Sequence, residues 1–126
     1  MVQRFPVDGC LPPCPAKKFS GDAAYNFFAL ITIRLNPREC RTVDTGIACN
    51  FPRGMWCLLK EKSGLAYRYG IQLLGGVVDG NYRGHLKAIL LNTGSETVSI
   101  PRHAAFCQGV LLPCSSTRVV HGTVVV

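Results

Sequence analysis

Gly75-Gly-Val-Val-Asp-Gly-Asn-Tyr-Arg-Gly84 joins two apolar runs, Tyr69-Gly-Ile-Gln-Leu-Leu74 before it and His85-Leu-Lys-Ala-Ile-Leu-Leu91 after it. Asp79-Gly80 is a strong signal for a two-residue β-hairpin, because both residues tolerate the positive φ that such a turn requires. A hairpin here carries an acid at its mouth and an aromatic, Tyr82, three residues later. Glycine has no Cβ, so a ligand can approach the N–H and C=O groups closely. A planar base can then be read by the main chain, with Tyr82 as a flat face beneath a sugar. A desolvated Asp79 can serve as general base for a water. On these residues alone a decorated turn, with Asp79 exposed and Tyr82 packed, is the stronger account.

Working outward, the chain is a series of short apolar stretches. Asn26-Phe-Phe-Ala-Leu-Ile-Thr-Ile33, Arg41-Thr-Val-Asp-Thr-Gly-Ile-Ala-Cys49, Met55-Trp-Cys-Leu-Leu59, Thr97-Val-Ser-Ile100 and the segment from Phe106 to Leu112 all read as strands. Turn signals recur at intervals of about 8–12 residues, the pattern of an all-β sandwich or barrel. With 13 glycines and 8 prolines in 126 residues, few stretches are left long enough for an amphipathic helix. That argues against a helical bundle and against a doubly wound sheet, whose crossover helices have no place here. Residues 1–21 read as an irregular lead-in, 22–114 as the β domain and 115–126 as a C-terminal strand or arm.

The composition, 48% apolar and 17% charged, is that of a globular chain. No apolar run reaches the length of a membrane helix, and Met-Val-Gln-Arg-Phe-Pro-Val-Asp lacks the apolar core of a secretory signal. A cytoplasmic or nuclear protein is expected, neither secreted nor membrane-bound. The net charge of +7 points to a polyanionic partner such as nucleotide phosphate. The basic residues are scattered singly apart from Lys17-Lys18, which argues against a dedicated nucleic-acid surface. The 7 cysteines include no C-x-x-C pair, and His85, His103 and His121 lie far apart in sequence. They read as small apolar residues in a reducing compartment rather than as a zinc site. The valine-rich end, Arg118-Val-Val-His-Gly-Thr-Val-Val-Val126, would be an aggregation hazard as a free strand. It is therefore expected to pair with a neighbouring copy, or to serve as a C-terminal peptide for a protein partner's groove.

Lys60-Glu-Lys-Ser-Gly-Leu-Ala66 offers backbone N–H groups, a hydroxyl and a cation to phosphate oxygens. Taken with the glycine-rich stretch at 75–84 and with Asn92-Thr-Gly, it resembles the trimeric dUTPases (dUTP nucleotidohydrolases) from about Ala23 to Gln108. The resemblance implies a distorted β-barrel or jelly roll, a homotrimer with active sites between subunits, and magnesium-assisted cleavage of dUTP to dUMP and pyrophosphate. Carried over by position, Asp79 matches the carboxylate that activates the attacking water. Tyr82 matches the aromatic that packs under deoxyribose and excludes a ribose 2′-hydroxyl. Gly76 and Lys87 fall where uracil is read through backbone groups. Lys62, Ser63 and Gly64 match the phosphate-holding turn, and Gln108 the glutamine of the fourth motif.

The departures bear on phosphate and metal. The first motif, Ala-Gly-Tyr-Asp-Leu in the family, is Ala23-Ala-Tyr-Asn-Phe27, so Asn26 replaces an aspartate that helps hold the hydrated metal. No residue of the chain is expected to ligate the metal directly; magnesium would be bound mainly through the substrate phosphates. Glu61-Lys62 replaces Pro-Arg before the serine, which keeps the charge but loses the planar bidentate grip. His103-Ala-Ala105 replaces Gly-Asp-Arg, and the Gly-rich fifth motif that closes over the nucleotide has no counterpart here. The resemblance thus implies a divergent member, of viral type, with weakened hydrolysis. The alternative is a catalytically silent relative acting as a structural or protein-interaction module.

Overall fold

The structure, a computed structural model, describes residues 1–126. Eleven strands and one short helix follow in the order β1 (Val2–Arg4), β2 (Tyr25–Phe28), β3 (Ile33–Leu35), β4 (Cys40–Asp44), β5 (Ile47–Cys49), β6 (Met55–Glu61), α1 (Ser63–Tyr69), β7 (Ile71–Leu74), β8 (Val77–Val78), β9 (Lys87–Asn92), β10 (Val98–Ile100) and β11 (Ala105–Pro113). All pairings are antiparallel. A four-stranded sheet runs β2-β11-β6-β8 and a three-stranded one β4-β9-β7; β1-β5 and β10-β3 form two-stranded ribbons.

One apolar core serves all the larger pieces. Phe27, Leu59 and Phe106 enter it from the four-stranded sheet, Ile71, Ala88 and Leu90 from the three-stranded one, and Leu35 and Ile100 from the β10-β3 ribbon. The strands alternate as half-buried strands must: Ala88, Leu90 and Asn92 of β9 point inward while Lys87 points out. In β11 both Phe106 and Cys107 are buried, against the alternation. A bulge explains it, since the pairing steps from Ala105↔Phe28 directly to Cys107↔Phe27 and leaves Phe106 as the extra residue. Burying a side chain of that size stabilises the fold by roughly 1.5–3 kcal/mol. Asn92, fully buried, is satisfied on both sides: its amide nitrogen donates to the Leu35 and Glu96 carbonyls at 3.1 and 2.8 Å, and its oxygen accepts from Gly94 N–H at 2.9 Å. It ties β3 to β9.

The all-β expectation holds, and several boundaries shift. The run from Asn26 to Ile33 is two strands, because the chain leaves β11 at Ala29 and resumes on β10 as β3. Arg41 to Cys49 likewise divides at Thr45-Gly46, where Gly46 takes φ +69° and the chain crosses from β9 to β1. Such corners, where a strand changes sheets, leave no mark on a period-two pattern. The stretch at 75–84 is not a two-residue hairpin. β7 pairs with β9 as far as Leu74↔Ile89, and the chain between them detours to pair β8 with β6. Ser63-Gly64 opens a helix instead of a turn. Within the segment expected to be irregular, β1 pairs with β5. The residues beyond Pro113 belong to no strand, and the valines at 119, 120 and 124–126 are exposed. No helix is long and apolar enough to cross a membrane.

Candidate active site

Two groups of the expected residues are brought together, at opposite ends of β6. The first lies where β6 hands over to α1. Gln108 of β11 sits opposite Asn26 of β2 on one side and Lys60 of β6 on the other. Its amide nitrogen donates to the Glu61 carbonyl at 2.9 Å. The Lys62 ammonium donates to the Asn26 side-chain oxygen at 2.7 Å. Ser63 and Gly64 follow, both exposed, at the start of a helix with no capping side chain. Their N–H groups have no helical acceptor, so this corner presents donors and a cation together. Nothing in the chain lies within 4 Å of where a Cβ on Gly64 would stand.

Glu61 anchors this corner. One carboxylate oxygen accepts from Leu73 N–H at 3.0 Å and the other lies 3.5 Å from the Lys60 ammonium. Partial burial pushes its carboxyl up, but the backbone N–H groups and Lys60 outweigh it and hold Glu61 below the usual carboxylate range. The sequence marked Glu61 only as a departure before the serine; its bond to Leu73, on the following strand, depends on the fold.

The second group surrounds a cleft of about 180 Å³ lined by Val78, Asp79, Tyr82, His85, Leu86 and Lys87. β7 and β9 part beyond Leu74↔Ile89. Continuing that register would set Gly76 opposite Lys87, but β8 has turned away to β6, and a slot opens between the two backbones. Gly76 is forced by packing: a Cβ there would come within 2.1 Å of the Leu59 carbonyl oxygen. Its own carbonyl accepts from Leu59 N–H at 2.7 Å.

The loop after β8 is closed by Tyr82 N–H donating to the Asp79 carbonyl at 3.0 Å. The Asp79 carboxylate is exposed and takes part in no hydrogen bond or ion pair. The Tyr82 hydroxyl donates to the His85 carbonyl at 2.9 Å, which folds the ring back over the loop while leaving it 42% exposed. A Cβ on Gly84 would strike that ring, at 2.6 Å from the hydroxyl oxygen. Arg83 donates to the Gly80 and Tyr82 carbonyls and so braces the loop. The imidazole of His85 is held by Asp44, Nδ1 lying 3.1 and 3.0 Å from the two carboxylate oxygens. No local pattern marks that pair, whose members are 41 residues apart.

The two groups do not meet within one chain. Asp79 lies one residue beyond the Cys57↔Val78 pair, beside the start of β6, whereas Ser63 follows its end. Seven residues of extended chain place them roughly 20 Å apart. Of the cysteines, only Cys57 and Cys107 are buried as expected; burial pushes the Cys57 thiol up to about 11 and Cys107 higher still. Cys14, Cys40 and Cys114 are exposed.

Comparison with known proteins gives a consistent picture. Residues 12–124 match the family model described as dUTPase. The deoxyuridine 5′-triphosphate nucleotidohydrolase of Clostridium novyi is 33% identical over 107 residues, covering 83% of this chain and 75% of that protein. The dUTPase of Staphylococcus bacteriophage 80alpha, a structure with dUpNHpp, superposes with a TM-score of 0.86 at 18% identity over 97% of this chain and 94% of that one. A dUTPase from phage phi11 of S. aureus, described with a structural Mg(II) ion, gives 0.83 at 20% identity over 97% and 96%. At these identities the two structures speak for a shared fold.

Proposed function

The chain belongs to the dUTPase family, and from that premise we propose that it hydrolyses dUTP to dUMP and pyrophosphate in sites formed between the subunits of a homotrimer. The carrying observation is the cleft between the chain beyond β7, at Gly75 to Val78, and the start of β9, with the unpaired Asp79 carboxylate at its mouth and Tyr82 beside it. The uracil edge enters the slot and meets backbone groups of Gly76 and Lys87. The Tyr82 ring packs under the deoxyribose and leaves no room for a 2′-hydroxyl. Asp79 takes a proton from a water as the water oxygen bonds to the α-phosphorus. The bond from that phosphorus to the bridging oxygen breaks, and pyrophosphate leaves. The cradle for the phosphates comes from an adjoining copy: the Lys62 ammonium, the Ser63 and Gly64 N–H groups and Gln108. Open space at Gly64 supports that role, since a glycine the chain itself does not need allows a phosphate to approach the backbone.

The residues present do not fit a protein-held magnesium ion. Within one chain, no group of three or more His, Cys, Asp or Glu side chains comes together. Asn26, at the position where the family has aspartate, has its oxygen engaged by the Lys62 ammonium. Magnesium would arrive on the substrate's own phosphate oxygens. With a lysine in place of the bidentate arginine, we expect slow turnover, with losses of positioning on the order of a hundredfold.

The test is pyrophosphate release from dUTP with magnesium, beside the Asp79→Asn protein. Release that depends on Asp79 supports the reading; none above the Asp79→Asn background overturns it. A second reading, a silent module that binds a protein partner through its tail, is favoured by the exposed valines at 119, 120 and 124–126. It requires binding that survives Asp79→Asn and is lost when residues 123–126 are removed.

A further inference from the structure

An unbroken line of contacts joins the N-terminal segment to the face of Tyr82. Phe5 N–H donates to the Gly46 carbonyl at 2.7 Å, just beyond the ribbon that β1 forms with β5. A Cβ on Gly46 would come within 2.6 Å of the Phe5 carbonyl oxygen, so this close seating needs glycine. Gly46 N–H in turn donates to an oxygen of Asp44 at 2.8 Å. The same carboxylate holds Nδ1 of His85, and the His85 ring lies against the Phe5 ring with centroids 4.6 Å apart and planes tilted by 30°. The His85 carbonyl then accepts the Tyr82 hydroxyl.

We propose that Phe5, Asp44 and His85 are positioning residues for sugar selection, fixing the Tyr82 ring at the angle that rejects a ribose 2′-hydroxyl. The inference rests on the sugar-facing role given to Tyr82 above. Its physical content is simple. A ring that excludes one oxygen atom must be held against small rotations, because a shift of about 1 Å admits the larger sugar. Tyr82 is substantially exposed, and its one side-chain hydrogen bond ends on His85. The His85 backbone is steadied by its imidazole, clamped between a carboxylate and an aromatic face. Phe5, on the N-terminal segment, thus becomes part of the nucleotide site.

The test is calorimetric binding of two non-hydrolysable nucleotides, dUpNHpp and its ribose counterpart, which reads selection without requiring turnover. Wild-type protein prefers the deoxy form. Phe5→Ala, Asp44→Asn and Tyr82→Phe each narrow that preference, by roughly tenfold, and Phe5→Tyr, which keeps the ring, restores it. The double variant Phe5→Ala/Tyr82→Phe is no worse than either single one, since both act through one hydrogen bond. Independent, additive losses, or a preference untouched by Phe5→Ala and Asp44→Asn, would overturn the inference while leaving the site reading intact. Equal binding of both nucleotides by the wild-type protein would overturn the role of Tyr82 itself, and this inference with it.

Discussion

Asp79 and Gly76 are three residues apart and answer to different constraints. The Asp79 carboxylate makes no hydrogen bond or ion pair in its own chain, so Asp79→Asn is expected to leave the melting temperature unchanged while slowing pyrophosphate release by about 10²–10⁴-fold. Gly76→Ala is expected to do the reverse first. Its Cβ collides with the Leu59 carbonyl, so stability falls by about 2 kcal/mol or more, seen as a lower denaturant midpoint. Asp79 and Tyr82 stood out in the sequence through the family resemblance; by themselves an acid and an aromatic among glycines read as a decorated turn. The contacts of Gly76 with Leu59, of Lys62 with Asn26 and of His85 with Asp44 were not legible there, since each joins residues far apart in the chain that only the fold brings together. Cys57 and Cys107, kept as thiols by burial, are expected to resist iodoacetamide until the protein is unfolded; labelling of Cys107 in the native protein would contradict its placement in the core.

Elements followed the sequence where a strand stays within one sheet, as in β6 and β9, and departed from it at corners. Ala29 and Gly46 mark places where a continuous apolar run changes sheets, a choice made by distant partners rather than by local alternation. α1 is short enough that its glycine and serine suggested a turn, and Gly70, at φ 73°, ends it after seven residues. The join between β6 and β7 runs through Glu61, whose carboxylate accepts Leu73 N–H. Its lowered pKa means that its contribution is present above the unfolded value near 4.5 and is lost as the pH falls through the folded value. Glu61→Gln should therefore lower the melting temperature at neutral pH, with the difference from wild type vanishing in acid. A difference that stays constant down to pH 3 would show that the charge on Glu61 contributes nothing.

Across the whole molecule, a single core locks the sheets together and leaves the two halves of the site on opposite ends of β6. The all-β class was legible from turn spacing, but the separation of the halves was not, because it depends on where β8 pairs. On the proposed function, that separation requires a second copy to complete the site. The exposed tail valines are expected to lie along a neighbouring copy, so removing residues 123–126 should shift the assembly toward monomer in sedimentation. The most direct measurement mixes two inactive proteins, Asp79→Asn and Lys62→Ala, with one tagged to confirm mixed assemblies, and follows pyrophosphate release from dUTP. In randomly mixed trimers roughly one site in four joins an intact Asp79 to a neighbour's intact Lys62. About a quarter of the wild-type rate is the expected result; mixed trimers no more active than their parents would contradict a site shared between copies.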